Sequence, residues 1–183
     1  LLINIGTPAH KDKAEVKRFI GDMLSDPLVM GRPQWLSKLV STNIIAPLSA
    51  SRSQEKYSQI WRREEPKTAP LLYYMQRLPE ELETKKGLPV EIAMRYGTPD
   101  IPGAFKRLEQ KCPLLHEVIV FPLYPHFAQS TTQTTVDEIG RIFFRHPHSF
   151  RLKFVESYYN HPAFINALAA CAHPYLDDID RLI

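Results

Sequence analysis

The 183-residue sequence predicts an α/β sandwich, a parallel sheet flanked by helices. Short apolar, β-branched runs alternate with stretches of helical spacing, and strands joined through helices pair in parallel by crossover connections. A second observation supports a full-sized core: hydrophobic residues make up 44% and charged residues 23%, the ordinary soluble balance.

The elements follow in order. "LLINIG" reads as a strand closed by Gly6-Thr7-Pro8. "KDKAEVKRFIGDML" sets Val16, Phe19, Ile20 and Met23 on one helical face, and Ser25-Asp26-Pro27 stops it. "PQWLSKLVSTNIIAPL" predicts a second helix ending near Pro47, and "SRSQEKYSQIW" a third with Tyr57, Ile60 and Trp61 on one face. "APLLYYMQRLPEEL" predicts a fourth, with Pro70 suited to its first turn. Then come strand "PVEIAMRYG", helix "IPGAFKRLEQK", strand "HEVIVFPLY", helix "TTVDEIGRIFFR", strand "FRLKFVESYY" and helix "HPAFINALAACAHPYL". Residues 25–80 are mostly helical where a doubly wound fold would return to the sheet, so they read as an insertion forming a lid or one lip of a cleft. The chain opens inside a strand and closes at "DDIDRLI", where an apolar run begins. Both ends look like cuts, and we expect one α/β domain over 1–150 and the start of a second over 151–183.

Several classes are disfavoured. A net charge of +3 with interspersed signs lacks the basic stripe of a nucleic-acid binder. Cys112 and Cys171 belong to no CxxC pair and read as core filler in a reducing, cytoplasmic setting. No apolar run approaches the roughly 20 residues of a spanning helix, and no signal peptide is visible. The seven histidines show no zinc-ligand spacing, and no acidic cluster suggests magnesium. His161 and His173 sit at a helix start and a helix end, whereas His10, His116, His146 and His148 have polar surface contexts.

Ligands of such sheets bind outside the carboxyl ends of the strands. Those ends here are "NIGTP", "MRYGTP", "LYPHFAQSTT" and "ESYYNHP", with neither Gly-x-Gly-x-x-Gly nor a Walker-type lysine. Taken singly, the two Gly-Thr-Pro runs are turns, Arg95 a strand-end cation and Tyr124 a core residue. Together they describe an apolar, aromatic pocket with an arginine and hydroxyls at its rim, which suits a large planar ligand with carboxylate tails. The residues alone also leave open a flavodoxin-like binder of a planar cofactor such as flavin. The lack of glycine in "AQSTTQTT" and the neighbouring arginine favour carboxylate tails.

In order, "LLINIGTP", "FIGDMLSDPLVM", "IIAPL", "RSQEKYSQIW", "AMRYGTP" and "FPLYPHFAQSTTQTTVDEI" resemble the N-terminal half of ferrochelatases. Those enzymes insert ferrous iron into protoporphyrin, or coproporphyrin in some bacteria. The resemblance implies a chelatase-like three-layer sandwich whose helical insertion forms the cleft lip. By the same resemblance Tyr124 stands near the metal on one face of the macrocycle. Arg95 and Tyr96 lie on the porphyrin rim, and Ser130 and Thr131 close the pocket by hydrogen bonds. Ile5 lies against the ring face, and Met23, Val29 and Met30 belong to the apolar lip. Tyr57 is near a propionate, and Tyr158 is an aromatic near the metal face. His126 takes a place where glutamine is usual and reads as a rim residue. Ala128 and Ala69 replace frequent serines, each losing a tail contact.

The family's proton acceptor is a histidine in Ser-x-His-[GS]-[LI]-Pro, supported by a later glutamate, and no such motif occurs in this sequence. The resemblance therefore implies the porphyrin-gripping part of an enzyme without its base, inactive alone. It implies no resident cofactor, since ferrous iron is a substrate. Porphyrin, ferrous iron and the remainder of its own chain are the expected partners, with peripheral membrane association left open. The alternative is a tetrapyrrole-binding module without catalysis.

Overall fold

The computed structural model describes residues 1–175. Four strands, β1 (Leu2–Gly6), β2 (Ile92–Tyr96), β3 (Glu117–Pro122) and β4 (Arg151–Phe154), form one parallel sheet in the order β2-β1-β3-β4. Eight helices accompany them: α1 (Lys13–Leu24), α2 (Pro27–Met30), α3 (Gln34–Val40), α4 (Ala46–Ile60), α5 (Pro70–Lys86), α6 (Ile101–Lys111), α7 (Thr134–Phe143) and α8 (Pro162–Ala172). The α/β layout is the one the sequence predicts, with helices on both faces of the sheet.

Strand alternation sends side chains to two cores. On one face Ile3, Ala93, Val118 and Val120 meet Ala104, Phe105 and Leu108 of α6 and Ile139 of α7. On the other, Leu2, Ile92 and Met94 meet Met75 of α5 and its neighbours Leu71, Leu72 and Leu78. A third cluster sits past the carboxyl ends of β1 and β2, where Val16, Phe19 and Ile20 of α1 pack with Ala46 and Tyr96. The helices of residues 13–60 thereby rest on the carboxyl ends of β1 and β2, beside the reversal of strand order between β1 and β3, the switch point at which such sheets hold ligands.

Three expectations change. Pro47 does not end a helix: α3 and α4 run on through a π turn at Ser41–Ile45, and Pro47 lies in the first turn of α4. Proline lacks an N–H and crowds the preceding turn, and the wider π turn absorbs that crowding within one rod. Cys171 is exposed and Cys112 half-buried, so neither is a buried core thiol. His148 is not in a polar surface context. Its ring stacks on Phe143 at 4.8 Å and lies 4.9 Å from Phe150, while Nδ1 is 3.2 Å from Glu109. His161 does cap α8, accepting from the Ala163 amide. The expected closing apolar run lies outside the described residues. No helix among those described is long and apolar enough to cross a membrane.

Ile139 is fully buried where α7 meets the sheet, whereas Leu114 is 93% exposed. Ile139→Ala should lower unfolding free energy by about 2–5 kcal/mol, and Leu114→Ala should stay within about 0.5 kcal/mol. Urea unfolding of the two variants checks the packing; equal losses would place α7 wrongly.

Candidate functional site

Gly6 sets the geometry at the end of β1. Its φ of +108° lies where only glycine is comfortable, and a Cβ there would stand 1.9 Å from the Tyr96 carbonyl oxygen. The β1 and β2 ends can therefore touch, and the read turn is also a close backbone contact.

Beside that contact lies a buried carboxylate, Asp26. Oδ1 accepts from the Leu28 amide at 2.8 Å, capping α2. Oδ2 accepts from Arg95 Nη2 at 2.7 Å, from the Tyr96 hydroxyl at 2.8 Å and from the Thr134 hydroxyl. Arg95 Nε donates in turn to the Thr134 carbonyl at 3.0 Å, and its guanidinium lies 4.4 Å from the Tyr96 ring centroid. Burial works against the Asp26 charge, but the bonds from Thr134, Tyr96 and the Leu28 amide, with the Arg95 charge, outweigh it. Its carboxyl is held below the ordinary aspartate value. The Tyr96 phenol is pushed up, first by burial.

This changes what Arg95 and Tyr96 do. Both were expected on the porphyrin rim. In the structure Arg95 is 15% exposed and paired with Asp26, and Tyr96 is buried. Arg95 Nε and Nη2 are both engaged inside the protein, and its charge is balanced by the internal carboxylate.

Four of the expected apolar and aromatic residues come together. Ile5, Met23, Val29 and Tyr57 all pack on the third cluster, half-buried, with Tyr57 edge-on to Phe19 at 6.3 Å. Met30 is also half-buried, at the end of α2. Tyr124 follows β3, its hydroxyl 3.5 Å from Thr135, and burial pushes its pKa up to about 12. It is a neutral phenol at physiological pH, a donor rather than a base.

The "AQSTTQTT" cup is a π turn, Gln129–Gln133, running into α7. Ser130 is exposed and Thr131 half-buried. The buried hydroxyls of this segment belong to Thr134 and Thr135, one turn later. Tyr158 is apart from the apolar wall: its ring lies 5.1 Å from Phe121 and 5.5 Å from Phe164, and its amide bonds the Pro125 carbonyl. His126 is exposed, 5.1 Å from the Tyr159 ring. Sequence reading missed Asp26, Thr134 and Thr135. The run Ser25-Asp26-Pro27 signals a helix stop as strongly as a network, so the local signal hid the second role. Among the described residues, no three His, Cys, Asp or Glu side chains group to hold a metal.

The Asp26 network yields a pH test. Because the folded carboxyl is held low, its stabilisation is present above the ordinary value near pH 4 and is lost as pH falls through the lower folded value. Asp26→Asn leaves Arg95 without its counter-charge and should cost about 3–5 kcal/mol at pH 7. Its stability should also decline less steeply below pH 4 than that of the wild type. Parallel urea-midpoint curves from neutral to acid pH would remove Asp26 from the linkage.

With the geometry in place, the comparisons are consistent. The family model described as Ferrochelatase matches residues 1–182. The ferrochelatase of Stutzerimonas stutzeri is 38% identical over 186 residues, covering 100% of this chain and 52% of that protein. That of Photobacterium profundum is 34% identical, covering 92% of the chain and 51% of its own length. That of Pseudomonas putida is 35% identical, with 97% and 51% covered. The chain spans about half the length of these curated relatives. The chain belongs to the ferrochelatase family.

Proposed function

We propose that the protein inserts ferrous iron into a porphyrin in haem biosynthesis, and that this chain supplies the wall that grips one face and edge of the macrocycle. The observation that carries the reading is the half-buried apolar and aromatic surface of Ile5, Met23, Val29 and Tyr57, with Tyr124 across the β1–β3 switch point. A porphyrin plane needs such a surface for desolvation, at about 25 cal/mol per Å² buried.

A flat porphyrin presents its nitrogens poorly to an incoming ion. Pressing one ring face while holding the edge tilts a pyrrole, a distortion of roughly 1–5 kcal/mol drawn from contacts remote from the nitrogens. The wall would press, and exposed Ser130 with half-buried Thr131 would hold. Insertion releases two pyrrole protons. Tyr124 cannot accept them while its pKa stands at about 12, so it would serve as a hydrogen-bond donor on the metal face. The acceptor is a group with pKa near neutrality, in the histidine motif that residues 1–183 lack. We assign no resident cofactor, a cytoplasmic setting, and the remainder of the chain as the other wall. Exposed Trp35, Leu39 and Leu48 on the α3–α4 rod support peripheral contact with a membrane surface.

Zinc-porphyrin fluorescence tests this. The full-length protein should insert zinc, residues 1–183 alone should give only the uncatalysed rate, and Tyr124→Phe in the full-length protein should lose about three- to tenfold in turnover, the value of one hydrogen bond. Insertion by residues 1–183 at the full-length rate would overturn the assignment of the base.

A further inference from the structure

The cations around the strand ends differ in their partners. Arg95 is closed off by Asp26. Arg62 is the opposite case. Its guanidinium lies 3.6 Å from the Tyr73 ring centroid, its Nε is buried without a hydrogen-bond partner, and its carboxylate neighbour Glu64 is 3.7 Å away and 90% exposed. The loop carrying it is closed at both ends: Trp61 Nε1 donates to the Lys67 carbonyl at 3.1 Å, and the Arg62 amide to the Thr68 carbonyl at 3.2 Å.

This loop, the end of α4 and the approach to α1 line a cavity of about 550 Å³. Lys11, Arg62, Arg63 and Lys67 bring four positive charges to it, against one lining carboxylate. That carboxylate, Asp12, is engaged in capping α1 through the Ala14 and Glu15 amides. Glu65 also pairs with Lys67, at 3.5 Å, but at the exposed outer edge of the loop.

We propose that this cavity is an oxyanion subsite with Arg62 as its anchor. A guanidinium stacked on an aromatic face is already oriented, and its planar fork matches a carboxylate or phosphate. The cavity and the apolar wall both draw on α4: Ser58 lines the cavity and its sequence neighbour Tyr57 packs on the wall, while Lys11 and Asp12 line the cavity from the segment that joins β1 to α1. Resting on the function proposed above, the oxyanion is a carboxylate tail of the porphyrin. It replaces the tail contact that Ala69 lacks and that Arg95, held by Asp26, does not give. Inorganic phosphate offers the same chemistry.

The experiment compares a dicarboxylate porphyrin with its dimethyl ester, bound to full-length wild type and Arg62→Gln and followed by porphyrin fluorescence. Arg62→Gln should weaken the diacid by about tenfold or more and leave the ester unchanged. Equal weakening of both ligands would make Arg62 a structural residue, and no weakening of either would remove it from the porphyrin's tail contacts. A second arm titrates Trp35→Phe protein with inorganic phosphate and reads Trp61, the remaining tryptophan of residues 1–183, by the part of the signal that Trp61→Phe removes. A phosphate response abolished by Arg62→Gln, with diacid affinity untouched by it, would uphold the subsite and overturn the tail assignment. Wild type that binds neither porphyrin form would refute the functional reading. The subsite would fall with it only if phosphate also left Trp61 unchanged.

Discussion

A carboxylate buried to 8% exposure must be surrounded by donors, and the donors to Asp26 Oδ2 come from two distant parts of the chain. Arg95 is 69 residues away, Tyr96 is 70 and Thr134 is 108. One side chain therefore ties the start of the lip to the end of β2 and the start of α7. A local role is fused to this one, because the other oxygen caps α2. Moving the lip would unpair a buried charge, so Val29 and Met30 keep a fixed relation to the strand ends.

The same tie divides the chemistry. Arg95 and Tyr96 serve the inside of the protein, and the half-buried surface around them is apolar and hydroxylic. Tyr124 faces it as a neutral phenol whose charge burial opposes. Lys11, Arg62, Arg63 and Lys67 instead line a separate cavity between the end of α4 and the start of α1.

Much of this was legible in the sequence. Strand alternation and helical spacing gave the four parallel strands and most helices, because both periods reflect burial on one face. Ordered motif blocks gave the family. What stayed hidden depended on long-range pairing or on register. Asp26 reads locally as a helix stop, and its partners are not readable from neighbouring residues. "STTQTT" offers four threonines of identical chemistry, and only the π turn decides that Thr134 and Thr135 point inward while Ser130 points out. Pro47 misled because a π turn can carry a proline through a rod. His148 misled because its polar neighbours in sequence are not its neighbours in space.

The claim that Asp26 and Arg95 act as one unit is tested most directly by a double-mutant cycle in urea unfolding. Asp26→Asn, Arg95→Gln and the double variant would be compared with the wild type at neutral pH. The account predicts strong non-additivity, with a coupling energy of at least about 1 kcal/mol, because the second substitution removes a charge that the first has already orphaned. Losses that add to within about 0.5 kcal/mol would contradict it, leaving Arg95 independent of Asp26.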